Sequence, residues 1–344
     1  MNINKRVTIK EVAKTAGVST QTVSRVINDR PDVSPETRER ILQIVADMNF
    51  QPSAVARSLI QQRSYSLGVV TAGLKYLGPS RTLNGITSMA EHFKYNLLLE
   101  ELPHFDTGDI KPLLNDLLSH HVDGIVWAVP EIGDNHRWVD DILPDVPVPV
   151  VFLTMHERQG ISTISVDNYA GGKLATKHLI EQGCQNIAHI TGPLDWWEAR
   201  QRMSAWKKTL QDAGKEVSES QWREGNWSSS SGEVTFLKLL DTFPQMDGIF
   251  AGNDQMALSV LHIAHQHGIR IPQDLAVVGF DNFAESAYFW PSLTTINYNH
   301  YELGCRAVQE VVQQIDAVNC KESIDVETIL LSPDLVIRES TIRK

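Results

Sequence analysis

Long apolar runs are missing from this chain of 344 residues. No segment reaches the roughly 18 consecutive apolar residues that a membrane span requires. The opening MNINKRVTIKEVAK lacks the apolar run of a secretory leader, so the expected location is cytoplasmic and no membrane partner is expected. Cysteine is scarce as well. Cys184, Cys305 and Cys320 are far apart and odd in number, which excludes a disulfide framework and a Cys-x-x-Cys metal clip and fits a reducing compartment. No G-x-G-x-x-G follows the first strand pattern and no G-x-x-x-x-G-K-[ST] occurs; Gly171-Gly172-Lys173 lacks both the upstream Gly and the following Ser or Thr. A G-x-S-x-G nucleophile elbow is also absent. His262, His265 and His267 cluster, yet only His262 and His265 share a helix face and no third ligand is evident. His120-His121 suits a helix terminus, where an imidazole complements the dipole. The expectation is a protein without metal, cofactor or catalysis.

What is present is an apolar content of 42%, in a chain long enough for two or three domains with real cores. Its charge is uneven. The net −11 conceals a stretch, Met1 to Arg63, with ten Lys/Arg against six Asp/Glu, and a remainder with 21 against 36. A basic head on an acidic body implies that only the head approaches a polyanion, while the body discourages indiscriminate sticking.

Within the head, Thr8-Ile-Lys-Glu11 has capping-box spacing, so a helix should start there, run through Val12, Ala13 and Ala16, and stop at Gly17. Ser19 can cap a second helix with Val23, Val26 and Ile27 on one side and Thr20, Gln21, Ser24, Arg25 and Asn28 on the other. Two short helices joined by a Gly-containing turn match a helix-turn-helix, whose second helix enters the DNA major groove. Gln can bond adenine in two places and Arg can do the same to guanine, while Thr and Ser reach phosphates or thymine methyls. For an isolated stretch, a solvated helix face would be the simpler reading. Ser34-Pro35-Glu36-Thr37 then opens a third helix through Ile41, Leu42, Val45 and Met48, enough for a small core. Phe50 to Leu59 holds a possible helix of about two turns, too short to persist alone, and is expected to order on DNA. Ala54, Ala56 and Leu59 would press into a minor groove and Arg57 would face phosphate; a plain interdomain linker is the alternative.

These motifs, VTIKEVAKTAGVSTQTVSRVIN, VSPETRERI and NFQPSAVARSL, resemble the DNA-binding head and hinge of the lactose/galactose (LacI/GalR) repressor family. The resemblance implies a homodimer on a pseudo-palindromic double-stranded operator, with Thr20, Gln21 and Arg25 facing bases and Leu59 acting as a minor-groove lever. Thr8, Ser19, Ser24, Asn28, Ser34, Thr37, Ser53, Ala56 and Arg57 complete the expected DNA-facing set.

In the body, apolar runs alternate with amphipathic stretches. SLGVVTA, NLLLEEL, DGIVWAV, VPVVFL, NIAHITG, DGIFAGN and LAVVGFD read as strands mostly buried on both faces. Their number and the helical patterns between them predict α/β architecture, two doubly wound parallel-sheet lobes beside the small all-α head. Ligands of such sheets sit at the carboxyl ends of the strands. There the chain offers Trp196, Trp197 and Arg202 in GPLDWWEARQR, Trp227 in REGNW, Asn253 and Asp281. Tryptophan covers sugar C–H faces, and Arg, Asn and Asp hold neighbouring hydroxyls, so a small sugar or glycoside is the expected effector.

The body is similar to the periplasmic-binding-protein-like effector domain of the same family through HITGP, AxRQRMSAW, REGNWS, AGNDQMALSVL, VVGFDN and PSLTTIN, and the lactose-type pattern is nearest. The resemblance implies an effector site of Ala72, Tyr76, Pro79, Arg202, Trp227, Asn253 and Asp281. Thr154 stands where that pattern has an Asp, and Tyr298 and His300 stand where it has Gln and Phe. With Trp196 as a further aromatic, Thr154 and Tyr298 join the expected site, and galactoside specificity is not carried over. The implied organisation is a head over 1–50, a hinge over 51–64 and a body over 65–344, with one lobe near 65–165 plus 295–323 and the other near 166–294 plus 324–344. Without the terminal heptad helix of some relatives, a dimer is expected. The function this implies is effector-controlled repression; activation, or repression that needs a co-repressor, stays open. A sugar-transport protein and an α/β enzyme are the rival classes.

Overall fold

The computed structural model describes residues 7–28, 30–50, 63–105, 109–324 and 326–343. Contacts divide the chain into two compact units, Met1–Tyr65 and Ser66–Lys344. The hinge positions Ser53, Ala56, Arg57 and Leu59 lie outside the described residues.

The first unit holds α1 (Ile9–Ala16), α2 (Thr20–Ile27) and α3 (Pro35–Asp47). Each start is written in local chemistry. Thr8 and Glu11 form a reciprocal capping box at α1, Ser19 accepts from the Thr22 N–H at α2, and Ser34 accepts from the Thr37 N–H at α3 with Pro35 at the first helical position. The three helices bury Val12, Ala13, Ala16, Val23, Val26, Ile41 and Phe50 together. This core is what holds helices too short to persist alone.

The second unit contains two six-stranded sheets. The first is ordered β11-β5-β4-β3-β1-β2, from β1 (Ser66–Ala72), β2 (Asn96–Leu102), β3 (Gly124–Ala128), β4 (Val150–Leu153), β5 (Ser162–Val166) and β11 (Thr328–Leu331). The second is ordered β12-β10-β9-β8-β6-β7, from β6 (Ile187–Thr191), β7 (Trp222–Glu224), β8 (Gly248–Ala251), β9 (Ala276–Phe280), β10 (Thr294–Asn297) and β12 (Asp334–Val336). All neighbours are parallel except β10 and β12. The helices of this unit are α4 (Leu77–His92), α5 (Lys111–Ser119), α6 (Trp138–Ile142), α7 (Asn168–Glu181), α8 (Trp197–Asp212), α9 (Ser229–Thr242), α10 (Asp254–Gln266) and α11 (His300–Cys320). None of the helices among the described residues is long and apolar enough to cross a membrane.

The expected lobe boundaries need correction at their crossings. Thr294–Asn297 pairs with β9, so it belongs to the second sheet, and the return to the first lobe comes only with α11. Thr328–Leu331 pairs with β5 in the first sheet, although the tail was expected in the second lobe. Both strands are four residues long and sit beside polar turns, too short for periodicity to assign them to a sheet. The chain therefore crosses between lobes near 167, 298 and 332. α11 lies tightly on α4 because glycines face each other: a Cβ on Gly85 would meet the Tyr301 carbonyl oxygen at 2.0 Å, and one on Gly304 the Thr82 oxygen at 2.1 Å. That crossing seats the start of α4 and the start of α11 side by side at the interlobe cleft.

Candidate functional site

On α2, residues 100° apart place Thr20, Gln21, Ser24, Arg25 and Asn28 within an arc of about 140°, opposite Val23 and Val26. The burial agrees with that division: Thr20, Gln21 and Arg25 are exposed, whereas Val23 and Val26 are buried. Ser19 and Ser34 are occupied as caps, and Thr8 is held by Glu11. Asn28 donates to the Ser24 carbonyl at 2.9 Å, bracing the end of α2. One partner was not legible in the sequence: Arg25 Nη1 pairs with Asp32 at 3.0 Å, both side chains about half exposed.

A cleft between the lobes, with about 730 Å³ of space partly open to solvent, lies at the carboxyl ends of the strands. Tyr76, Pro79, Thr154, Trp196, Arg202, Trp227, Asn253, Asp281 and Tyr298 line it, from the second lobe, the start of α4 and the end of β4. Ala72 does not. It ends β1 fully buried in the first lobe's core, because the chain turns outward only at Gly73 and reaches the cleft at Tyr76. Trp197 is likewise absent from the wall; its main-chain N–H donates to the Glu131 carbonyl at 3.0 Å. Glu198, His300, Phe283 and Gln255 line the cleft without having been singled out as site residues. Glu198 was legible as a first-turn acid one helical turn before Arg202, whereas Gln255 and Phe283 each lie two residues past a strand-end residue already singled out, Asn253 and Asp281, without a motif that marked them.

Arg202 is the anchor of the wall. It is 4% exposed, donates from Nε to Asn168 Oδ1 at 2.8 Å and from Nη1 to the Gly252 carbonyl, and its guanidinium lies 3.6 Å from the Phe280 ring centroid. Its Nη2 faces Asp281 Oδ1 at 3.8 Å. Asp281 follows β9 with φ 103°, a backbone turn that lifts its carboxyl into the cleft. Burial pushes that carboxyl up to about 8 even with Arg202 beside it. Burial also lifts Glu198 to about 7, holds His300 down at about 3 and raises the Tyr298 phenol well above its ordinary value. Near neutral pH the wall therefore combines one guanidinium, a neutral imidazole, a phenol and carboxyls that carry protons readily.

Asn253 does two jobs already: its Oδ1 caps α10 through Met256 N–H at 2.9 Å, and its Nδ2 donates to the Trp227 carbonyl at 2.9 Å. One amide hydrogen is left for a ligand. Trp227, at φ 70°, rests over Gly192, where a Cβ would fall 2.1 Å from the indole ring. Trp196 meets Trp227 edge-on at 5.8 Å between centroids and Tyr76 at 6.1 Å, so three rings form one aromatic wall. Thr154, at φ 55°, donates its hydroxyl to the Leu153 carbonyl at 2.8 Å and offers only lone pairs to the cleft.

The fold and site define a two-lobed ligand-binding module on a chain that also carries a helix-turn-helix unit. Residues 8–53 match the family described as bacterial regulatory proteins, lacI family, and residues 176–341 match the periplasmic binding protein-like domain. Catabolite control protein A of Priestia megaterium is 32% identical over 337 residues, covering 97% of this chain and 99% of that protein. A crystal structure of the lac repressor dimer bound to operator and the anti-inducer ONPF superposes with a TM-score of 0.88 at 30% identity, covering 98% of this chain and all of that one. A structure of the transcriptional regulator CelR in complex with cellobiose gives 0.69 at 28% identity, covering 97% of this chain and all of that one. The chain belongs to the lacI family of bacterial regulatory proteins. Its class is that of DNA-binding transcriptional repressors with an effector-binding body, and its relatives are repressors, not enzymes.

Proposed function

We propose that the protein is a cytoplasmic, homodimeric repressor whose grip on a pseudo-palindromic operator is set by an uncharged saccharide enclosed in the interlobe cleft. The observation that carries this reading is the pairing of an aromatic wall, Trp227 and Trp196, with the buried Arg202–Asp281 pair in one cleft. Aromatic faces cover sugar C–H surfaces, and the buried polar pair supplies fixed partners for neighbouring hydroxyls. Residues 1–50 read the operator, 51–64 connect and press into the minor groove, and 65–344 bind effector and dimerise. Lac repressor as a dimer on operator, and CelR with cellobiose, support the two halves of the assignment.

In this reading Thr20, Gln21 and Arg25 contact base edges, while Thr8, Ser19, Ser24, Asn28, Ser34 and Thr37 lie toward the sugar-phosphate backbone. Saccharide binding changes the lobe arrangement, and the operator is released to the extent that the saccharide prefers one arrangement, commonly by about 1–3 kcal/mol. The body binds its saccharide without turnover. The reading is tested by selecting duplexes from a random pool with the full chain, then titrating the winner with mono- and disaccharides. A selected sequence that is released by at least one saccharide supports it, and indifference to every sugar contradicts it.

A further inference from the structure

Glu198 and Arg202 stand one turn apart on α8, and both line the cleft. Side chains at such positions are about 5–6 Å apart at their Cβ atoms. The aromatic wall beside them runs from Trp227 through Trp196 to Tyr76, with successive ring centroids 5.8 and 6.1 Å apart, more surface than one pyranose face covers, so a ligand that lies along it extends past a single ring. The two residues differ in what they lack. Arg202 is already engaged by Asn168, Gly252 and Asp281. Glu198, by contrast, reaches only its own main-chain N–H, and one carboxyl oxygen, Oε2, is buried without a partner from any other residue. Nearby Arg200 does not supply one: it donates to the Leu194 and Asp195 carbonyls at 3.2 and 2.7 Å and faces Glu131 Oε1 at 3.7 Å.

A buried polar oxygen left in this way marks a place where a partner belongs. The aromatic surface continues to it through Trp196, two residues earlier in the chain.

We propose that Glu198 is a specificity-determining residue: it hydrogen-bonds a hydroxyl on the second ring of a neutral disaccharide or glycoside whose first ring lies at Arg202 and Trp227. This rests on the saccharide reading above.

The test is calorimetry on the full chain with cellobiose, lactose and melibiose, and with glucose and galactose. Glu198→Ala is expected to weaken the bound disaccharide about ten-fold or more, the size of a lost hydrogen bond that leaves a buried partner unpaired, and to leave its component monosaccharide within about two-fold. Glu198→Gln and Glu198→Met, matched in size but differing in the acceptor, repeat the comparison if the alanine variant folds poorly. The proposal is overturned if disaccharide affinity is the same in the Gln and Met variants, or if monosaccharide and disaccharide weaken together. Absence of binding by every sugar would instead remove the saccharide reading itself.

Discussion

The main-chain N–H of Gly133 donates to the Asp195 carbonyl at 2.9 Å and so ties the first lobe to the second beside the cleft. Ile132 and Trp196 form a β-bridge at the same place, and Glu131, 3% exposed, faces His136 and His156 from its own lobe and Arg200 from the other. Trp196 thus belongs both to the cleft wall and to the interlobe tie. Replacing Glu131 by Ala leaves the donors of His156 and Arg200 facing an empty space. It should lower unfolding stability by about 1–3 kcal/mol, measured by urea melts. It should also shift the saccharide concentration that releases operator, because the tie helps set the balance of lobe arrangements.

Arg25 and Asp32 make an exposed ion pair, and such pairs contribute about 0.2–1 kcal/mol. Arg25 must leave Asp32 to meet a base. Asp32→Asn should therefore leave the melting curve nearly unchanged and strengthen operator binding by a few-fold, as read by fluorescence anisotropy at fixed salt. Arg25→Ala should remove about 1–3 kcal/mol of discrimination between the operator and a single-base variant, with saccharide affinity unaltered. Retained discrimination would move the reading residue elsewhere on α2.

Gly192→Ala would set a methyl within the volume of the Trp227 indole. The ring has to shift, at a cost of about 1–3 kcal/mol for an overpacked site. We expect a changed tryptophan emission spectrum, a marked loss of saccharide affinity, and operator binding that no longer responds to sugar.

Between about pH 6.5 and pH 8 stability should fall as pH rises. In the folded chain Asp281 holds its proton up to about 8 and Glu198 up to about 7, whereas the unfolded chain has released both by then. The unfolded state binds fewer protons in that window, so raising pH favours unfolding. Below about 6.5 the buried His189 and His300, held down at about 3, act in the opposite sense, because the unfolded chain protonates them first. Asp281→Asn should flatten the upper limb of a stability-against-pH curve, and an unchanged slope would show that Asp281 is ionised in the fold.

Much of this was written locally. The caps at Thr8, Ser19 and Ser34, the stop at Gly17 and the polar face of α2 depend on residues at most four apart, and each is found where the spacing predicts. The apolar strands β1, β3, β4, β6, β8 and β9 were legible because both of their faces are buried. β5 was not, since STISV mixes polar residues into a strand buried throughout, with Ser165 bonding the Met155 carbonyl and Ser162 bonding Gln314. In the cleft, Arg202, Trp227 and Asp281 followed from motif and strand end. Ala72 was misplaced by one turn of chain, and the isolation of Glu198 Oε2 depends on where Arg200 is held, which only tertiary structure fixes.

The proposed coupling of base reading to saccharide binding in one chain is checked by fluorescence anisotropy of a selected operator duplex, titrated with a saccharide that calorimetry shows to bind. Native protein should release operator at saccharide concentrations near its binding constant, whereas Asp281→Ala should hold the duplex and not release it. Operator binding that is the same with and without bound saccharide, or release that persists in Asp281→Ala, would rule the coupling out.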